Sequence, residues 1–231
     1  MFFGMGTTIA LLHSRLVNPN PQHPLLKITP MKTIGLVGGI GSGKSTVAQM
    51  IGRREDAVVL DADRLGHDVL RLDEVKTLVR AEWGNAPFGE DGEIDRRKMA
   101  ALVFSGTPEG NAQLEKLIGI SHPRIAGLLK KQIELAKIKG VKLVLLDAPL
   151  LLEGHWDQFC DRIIFVETPQ HVRMERIAKR GWSQEEYHAR AANQLPLEEK
   201  RKAAQFILEN DCSLIELEQR IDAVLHQMMP E

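Results

Sequence analysis

The segment Gly38-Gly39-Ile40-Gly41-Ser42-Gly43-Lys44-Ser45 constrains this chain more than any other. It satisfies GxxxxGK[ST], follows the β-type run 33–37 and precedes a helical run, which is the strand, loop and helix context of a phosphate-binding loop. The glycines let successive backbone N–H groups turn inward without Cβ clashes, and the following helix adds the positive end of its dipole. Gly39, Ile40, Gly41, Ser42, Gly43, Lys44, Ser45 and Thr46 are therefore expected to hold a polyphosphate. Lys44 supplies a mobile charge for the β- and γ-phosphates, and the Ser45 hydroxyl can ligate a hard Mg²⁺ ion.

From Met31 onward, short β-rich runs alternate with helical stretches, which predicts an α/β fold with a parallel sheet covered on both faces. Strands are expected at 33–37, 57–60, 141–146, 162–166 and 206–208. About 80 residues without a clear strand separate the second from the third, far more than an ordinary crossover needs, so a helical subdomain is inserted there, at about 64–139. Turns are expected at 84–87 and 90–92, and Ser121-His122-Pro123 is expected to open a helix with Pro123 at its first position. After the fourth strand, Arg173, Arg176 and Arg180 share one side of a helix, and Ser183 to Glu186 reads as a capping box opening another, on which Arg190 and Gln194 share a face. These two helices form a lid-like hairpin at about 171–200, hinged at Gly181. The closing helix carries Leu214, Leu217, Ile221, Val224, Leu225 and Met228 at helical spacing and is read as packing surface.

Two carboxylate-bearing strand ends lie on the edge of the sheet where ligands of open α/β folds collect. Asp147 ends the run Val141 to Leu146 and is the metal-holding carboxylate expected beside Ser45, a strand-end cap being the alternative. In Asp61-Ala62-Asp63, Asp63 is expected to accept a proton from an attacking hydroxyl and Asp61 to cap the next helix; both capping is the alternative.

Charge and spacing then separate the function classes. A formal net charge of -1 gives no basic track, so a nucleic-acid ATPase is disfavoured. Asp63-Arg64-Leu65-Gly66 fits the DxxG of GTPase switches, but no Asn in the chain is followed by Lys, so the guanine-reading NKxD is absent. Cys160 and Cys212 have no CxxC spacing and read as reduced thiols of a cytoplasmic protein. The apolar stretch 8–12 is too short to span a bilayer, and residues 1–30 are expected to be a disordered extension. No membrane partner is expected.

In order and spacing, GGIGSGKST, the Asp61–Asp63 triplet, Gly92 to Arg96, His122-Pro123, Pro149-Leu150-Leu151-Leu152-Glu153 and Arg190 to Gln194 resemble dephospho-CoA kinases over about 200 residues. The resemblance implies a three-layer P-loop kinase core with a five-stranded parallel sheet, a helical CoA subdomain and a helical lid. It implies ATP-dependent phosphorylation of the ribose 3′-hydroxyl of dephospho-CoA, with Mg²⁺ accompanying ATP; a kinase for another nucleoside or nucleotide is the alternative, a nucleotide-dependent switch a more distant one. By the same resemblance the polyphosphate on residues 39–46 is that of ATP, Lys44, Asp63 and Arg180 are catalytic, and Asp63, His122, Leu150, Glu153 and Arg190 bind the acceptor. Arg173 and Arg176 are expected to form solvated helix pairs, and the protein to be a monomer or weak homo-oligomer.

Overall fold

A computed structural model describes residues 30–104 and 107–229, and the extension expected over 1–30 lies outside these apart from Pro30. The apolar runs become five strands: β1 (Lys32–Gly38), β2 (Ala57–Asp61), β3 (Leu143–Asp147), β4 (Arg162–Glu167) and β5 (Phe206–Glu209). All neighbouring pairs are parallel, in the order β2-β3-β1-β4-β5. The third strand begins at Leu143 rather than Val141, whose amide is taken by the Ala136 carbonyl of the preceding helix.

Alternation along each strand sorts its side chains to two faces. Ile34, Leu36, Leu143, Leu145, Ile164 and Val166 pack with Val47, Ala48 and Ile51 of α1 (Lys44–Gly52) and with Leu217, Ile221 and Leu225 of α9 (Leu214–Met228). Leu214, read as part of that packing face, is instead 63% exposed, since it stands at the first turn before the helix reaches the sheet. Val37, Val144, Leu146, Ile163 and Phe165 face the opposite layer. The result is a three-layer α/β structure.

Between β2 and β3 lie α2 (Ala62–Val69), α3 (Asp73–Trp83), α4 (Arg96–Val103) and α5 (Pro108–Ile138), with only an isolated Phe88–Ile94 bridge among the described residues. Pro123 does not start a helix: it lies inside α5, whose 31 residues span about 46 Å. An internal proline forfeits one main-chain bond. Here the same stretch gains side-chain donors, Ser121 Oγ to the Leu117 carbonyl at 2.8 Å and Arg124 Nη1 to the Ile120 carbonyl at 2.7 Å. Ile125 and Leu129, both buried, hold the helix beyond it against the core.

After β4 come α6 (Gln170–Lys179), α7 (Gln184–Ala191) and α8 (Leu197–Ala203). Gly181, at φ 74, separates the first two, and the Ser183–Glu186 capping box opens α7 as its sequence predicts. Gln194 falls beyond α7, so it does not share a helical face with Arg190. None of the described helices is long and apolar enough to cross a membrane.

Candidate active site

The strand ends converge on the loop after β1. In the parallel ladder Leu36 of β1 and Asp61 of β2 both register with Asp147 of β3. Lys44, the first residue of α1, reaches back so that its Nζ is ion-paired with the Asp147 carboxylate. Asp61 caps α2 by accepting the Arg64 amide at 3.0 Å, which leaves Asp63 in the first turn of that helix. Lys44, Asp61, Asp63 and Asp147 thus form one electrostatic cluster.

Asp63 is exposed, yet its surroundings push its carboxyl pKa upward. Loss of water around it is the largest cause; the Asp61 and Asp147 charges act the same way, while Lys44 and His67 oppose them. Two neighbouring carboxylates and a partly desolvated position thus favour the protonated form of Asp63 more than water does.

The loop is gripped from its outer side by residues distant in sequence. The Ser42 carbonyl accepts from Asn210 Nδ2 at 2.7 Å, Thr168 Oγ1 at 2.9 Å and Arg176 Nη1 at 3.1 Å. Arg176 also donates to the Gly41 carbonyl at 3.4 Å and the Asn210 carbonyl at 3.0 Å. Arg173 is only 7% exposed. Its guanidinium and Leu197 occupy the space that a side chain on Gly39 would take. The expectation of solvated pairs for Arg173 and Arg176 is therefore corrected: the helix face read as a charged surface is the one laid against the phosphate loop. Beside it opens a cavity of about 280 Å³ lined by Gly39, Thr168, Arg173, Leu197 and Arg201 among others.

The same packing makes Gly43 irreplaceable. It adopts φ 85, and a Cβ there would collide with the Asn210 amide. Gly43→Ala is expected to cost on the order of 1–3 kcal/mol, read as a fall of about 2–10 °C in Tm by thermal unfolding. An unchanged Tm would show that Asn210 does not fix the loop.

The residues expected on the acceptor side come from two elements, α5 and the turn after β3. His122, on α5, packs its ring 5.1 Å from that of the buried Trp156. Its pKa is lowered, first by burial and then by His155, so it is neutral at neutral pH. Leu150 is half-buried in the turn after β3. Glu153, further along that turn, accepts the Leu195 amide at 2.7 Å and pairs with Lys200 at 3.0 Å. Arg180 and Arg190 are not drawn into the cluster. Arg180, at the end of α6, is exposed; Arg190 lies 4.3 Å over the Trp182 ring; neither has an ion pair among the described residues.

Ser45 is exposed at the start of α1. With Asp147 it offers hydroxyl and carboxylate oxygens, the hard donors that Mg²⁺ takes when substrate phosphates complete its shell. Among the described residues no group of three or more His, Cys, Asp and Glu could hold a metal by itself. That is compatible with an ion carried in on a polyphosphate.

Sequence reasoning missed Thr168, Lys200 and Asn210. The only local signal was their position just after β4 or β5, or inside a short helix, which distinguishes nothing.

A sequence model of the family described as dephospho-CoA kinase matches residues 32–216. The dephospho-CoA kinase of Bacillus anthracis is 37% identical over 194 residues, 83% of this chain and 94% of the relative. Among solved structures, TT1252 from Thermus thermophilus superposes with TM-score 0.71 at 36% identity, covering 86% of this chain and 98% of that one. The dephospho-CoA kinase from Campylobacter jejuni, at 24% identity and TM-score 0.62, covers 85% of this chain and 96% of its own and supports the fold.

Proposed function

The chain belongs to the dephospho-CoA kinase family, and on that premise we propose that it transfers the γ-phosphoryl group of ATP to the ribose 3′-hydroxyl of dephospho-CoA, giving ADP and CoA. The observation that carries this reading is the convergence of the Lys44 loop and the Asp63 carboxyl on the two sides of Asp147, at the ends of the strands that flank β3, one suited to the donor and the other to an attacking hydroxyl.

In this reading the loop amides of residues 39–46 hold the polyphosphate, and Lys44 leaves Asp147 to neutralise the β- and γ-oxygens. Ser45 and Asp147 would hold Mg²⁺, which supplies further charge neutralisation to the phosphates. Asp63 orients the 3′-hydroxyl and takes its proton as the bond to phosphorus forms. The helices at about 64–139, with His122, enclose the acceptor from one side, and Leu150 and Glu153 from the other. The lid at about 171–200 brings Arg180, and Arg190 behind it, toward the transferring group and excludes water that would otherwise take the phosphoryl. A cytoplasmic location is part of this reading and rests on Cys160 and Cys212, both free thiols.

A coupled assay tests it. ADP release that requires dephospho-CoA, with the product phosphorylated at the 3′ position, is expected; equal turnover without that acceptor, or with other nucleosides, would overturn the assignment. In the same assay Lys44→Met is expected to lower kcat by about 10²–10³ with the far-UV circular dichroism unchanged. Near-normal turnover would remove Lys44 from the transfer step.

A further inference from the structure

Lys200 is a buried lysine whose partners are all drawn from other parts of the molecule. Its residue is 0% exposed. Its ammonium donates to the Pro149 carbonyl at 3.0 Å, to Gln194 Oε1 at 3.1 Å and to Glu153 Oε1 at 3.0 Å. Those groups satisfy all three of its protons. Glu153 Oε1 also takes the Leu195 amide at 2.7 Å. One turn earlier on α8, Leu197 lies against Gly39 of the phosphate loop.

The consequences follow from where these partners sit. Pro149 and Glu153 belong to the turn after β3, whereas Gln194 and Leu195 are the residues by which the chain returns from α7. At its other end the hairpin is rooted by Ile177, 2% exposed, and by Arg176 on the loop carbonyls. Hence the exposed segment carrying Arg180 and Arg190 is tied at two points, one on the donor loop and one on the opposite wall. Burial lowers the Lys200 pKa, and the hydrogen bond and charge of Glu153 offset this only in part, with the Lys44 charge acting on the side of burial. Its use of one carboxylate oxygen leaves Glu153 Oε2 buried and without a partner in the described residues.

We propose that Lys200 is a positioning residue that latches the return of the lid onto the acceptor wall through the Pro149 carbonyl and Glu153. The role rests on the kinase reading above, since it is the second substrate that the latch encloses. Without the latch the α6–α7 hairpin keeps its loop anchor but loses its fixed far end. Acceptor capture weakens, and water reaches the transferring phosphoryl more readily.

The test uses the full chain and three variants, Lys200→Met, Glu153→Gln and the double variant. Lys200→Met alone leaves the Glu153 charge buried and unpaired, so its Tm falls for reasons unconnected with catalysis. The double variant removes that charge and recovers most of the Tm. If Lys200 were only structural, its kinetics would recover to those of Glu153→Gln. The latch instead predicts that, relative to Glu153→Gln, the double variant has a dephospho-CoA KM raised about 10-fold, an unchanged ATP KM, and more ADP released per product phosphorylated. Hydrogen exchange of residues 192–198 in the unliganded protein should quicken about 10-fold, with the β1 and β3 amides unaffected. Unchanged exchange in that segment overturns the latch, as do faster exchange with an unaltered KM and unaltered coupling. Failure of the wild type to turn over dephospho-CoA would sink the kinase reading alone, because the exchange measurement needs no substrate.

Discussion

Arg180→Ala is expected to lower kcat about 10³-fold or more, with little change in Tm or in ATP binding. The argument starts from Arg176, whose guanidinium donates to the Gly41 and Ser42 carbonyls. Arg180 is four residues on and therefore on the same side of α6, one turn further out. The buried Ile177 fixes the last turn of α6, at whose end Arg180 stands exposed. Arg180 is exposed and has no ion pair among the described residues, so its removal should leave the fold little changed. Any effect is confined to states in which a phosphoryl group is present. A planar guanidinium matches the oxygens of a transferring phosphoryl, so Arg180→Lys should recover only part of the loss. Arg190→Ala serves as the comparison: that side chain is stacked on Trp182, and its loss should be smaller. Single-turnover measurements with saturating ATP decide the matter, and a loss below about 5-fold would take Arg180 out of the transition-state contacts that such arginines make.

Ile34, Leu36 and the equivalent positions of the other strands are readable in sequence because burial on both sheet faces leaves uninterrupted apolar runs. The loop is readable for a different reason: its main chain turns through φ 80 at Gly41 and φ 85 at Gly43, which favours glycine. Asp61 and Asp63 stand out because one is the last residue of β2 and the other lies two residues on, in the first turn of α2. What grips the loop has no such local signature. Arg176 meets Ser42 across 134 residues and Asn210 meets it across 168, and in each case the acceptor is a carbonyl that every residue possesses. Lys200 is hidden in the same way, inside Glu198-Glu199-Lys200-Arg201-Lys202, which reads as a solvated charged helix. Pro123 misleads because its local preference for a helix start is overridden by the packing of Ile125 and Leu129. Local rules thus find the groups that would meet substrate and miss those that hold them in place.

Asp63→Asn gives the second large effect, an expected fall of about 10²–10⁴ in kcat/KM, and its pH dependence identifies the cause. The active form of a general base is the ionised one, so activity falls as pH drops through its pKa. For Asp63 that pKa is raised, first by loss of water around its carboxyl and then by the Asp61 and Asp147 charges. The acid limb of the wild-type profile should therefore lie above the range of an ordinary carboxylate, and Asp63→Asn should abolish it along with most of the rate. Asp61→Asn offers a milder probe, because Asn also caps a helix well and the α2 start should survive. Losing the Asp61 charge removes one of the influences raising the Asp63 pKa, so the acid limb should move to lower pH with the rate plateau nearly intact. Stability has the opposite sense from that of a salt-bridged carboxylate. A group that binds its proton more tightly when folded opposes folding at neutral pH and ceases to do so as pH falls through its raised value. Hence Asp63→Asn should keep or slightly raise Tm at neutral pH while destroying turnover. A lower Tm with an unmoved acid limb would make Asp63 a structural cap of α2 instead of the base.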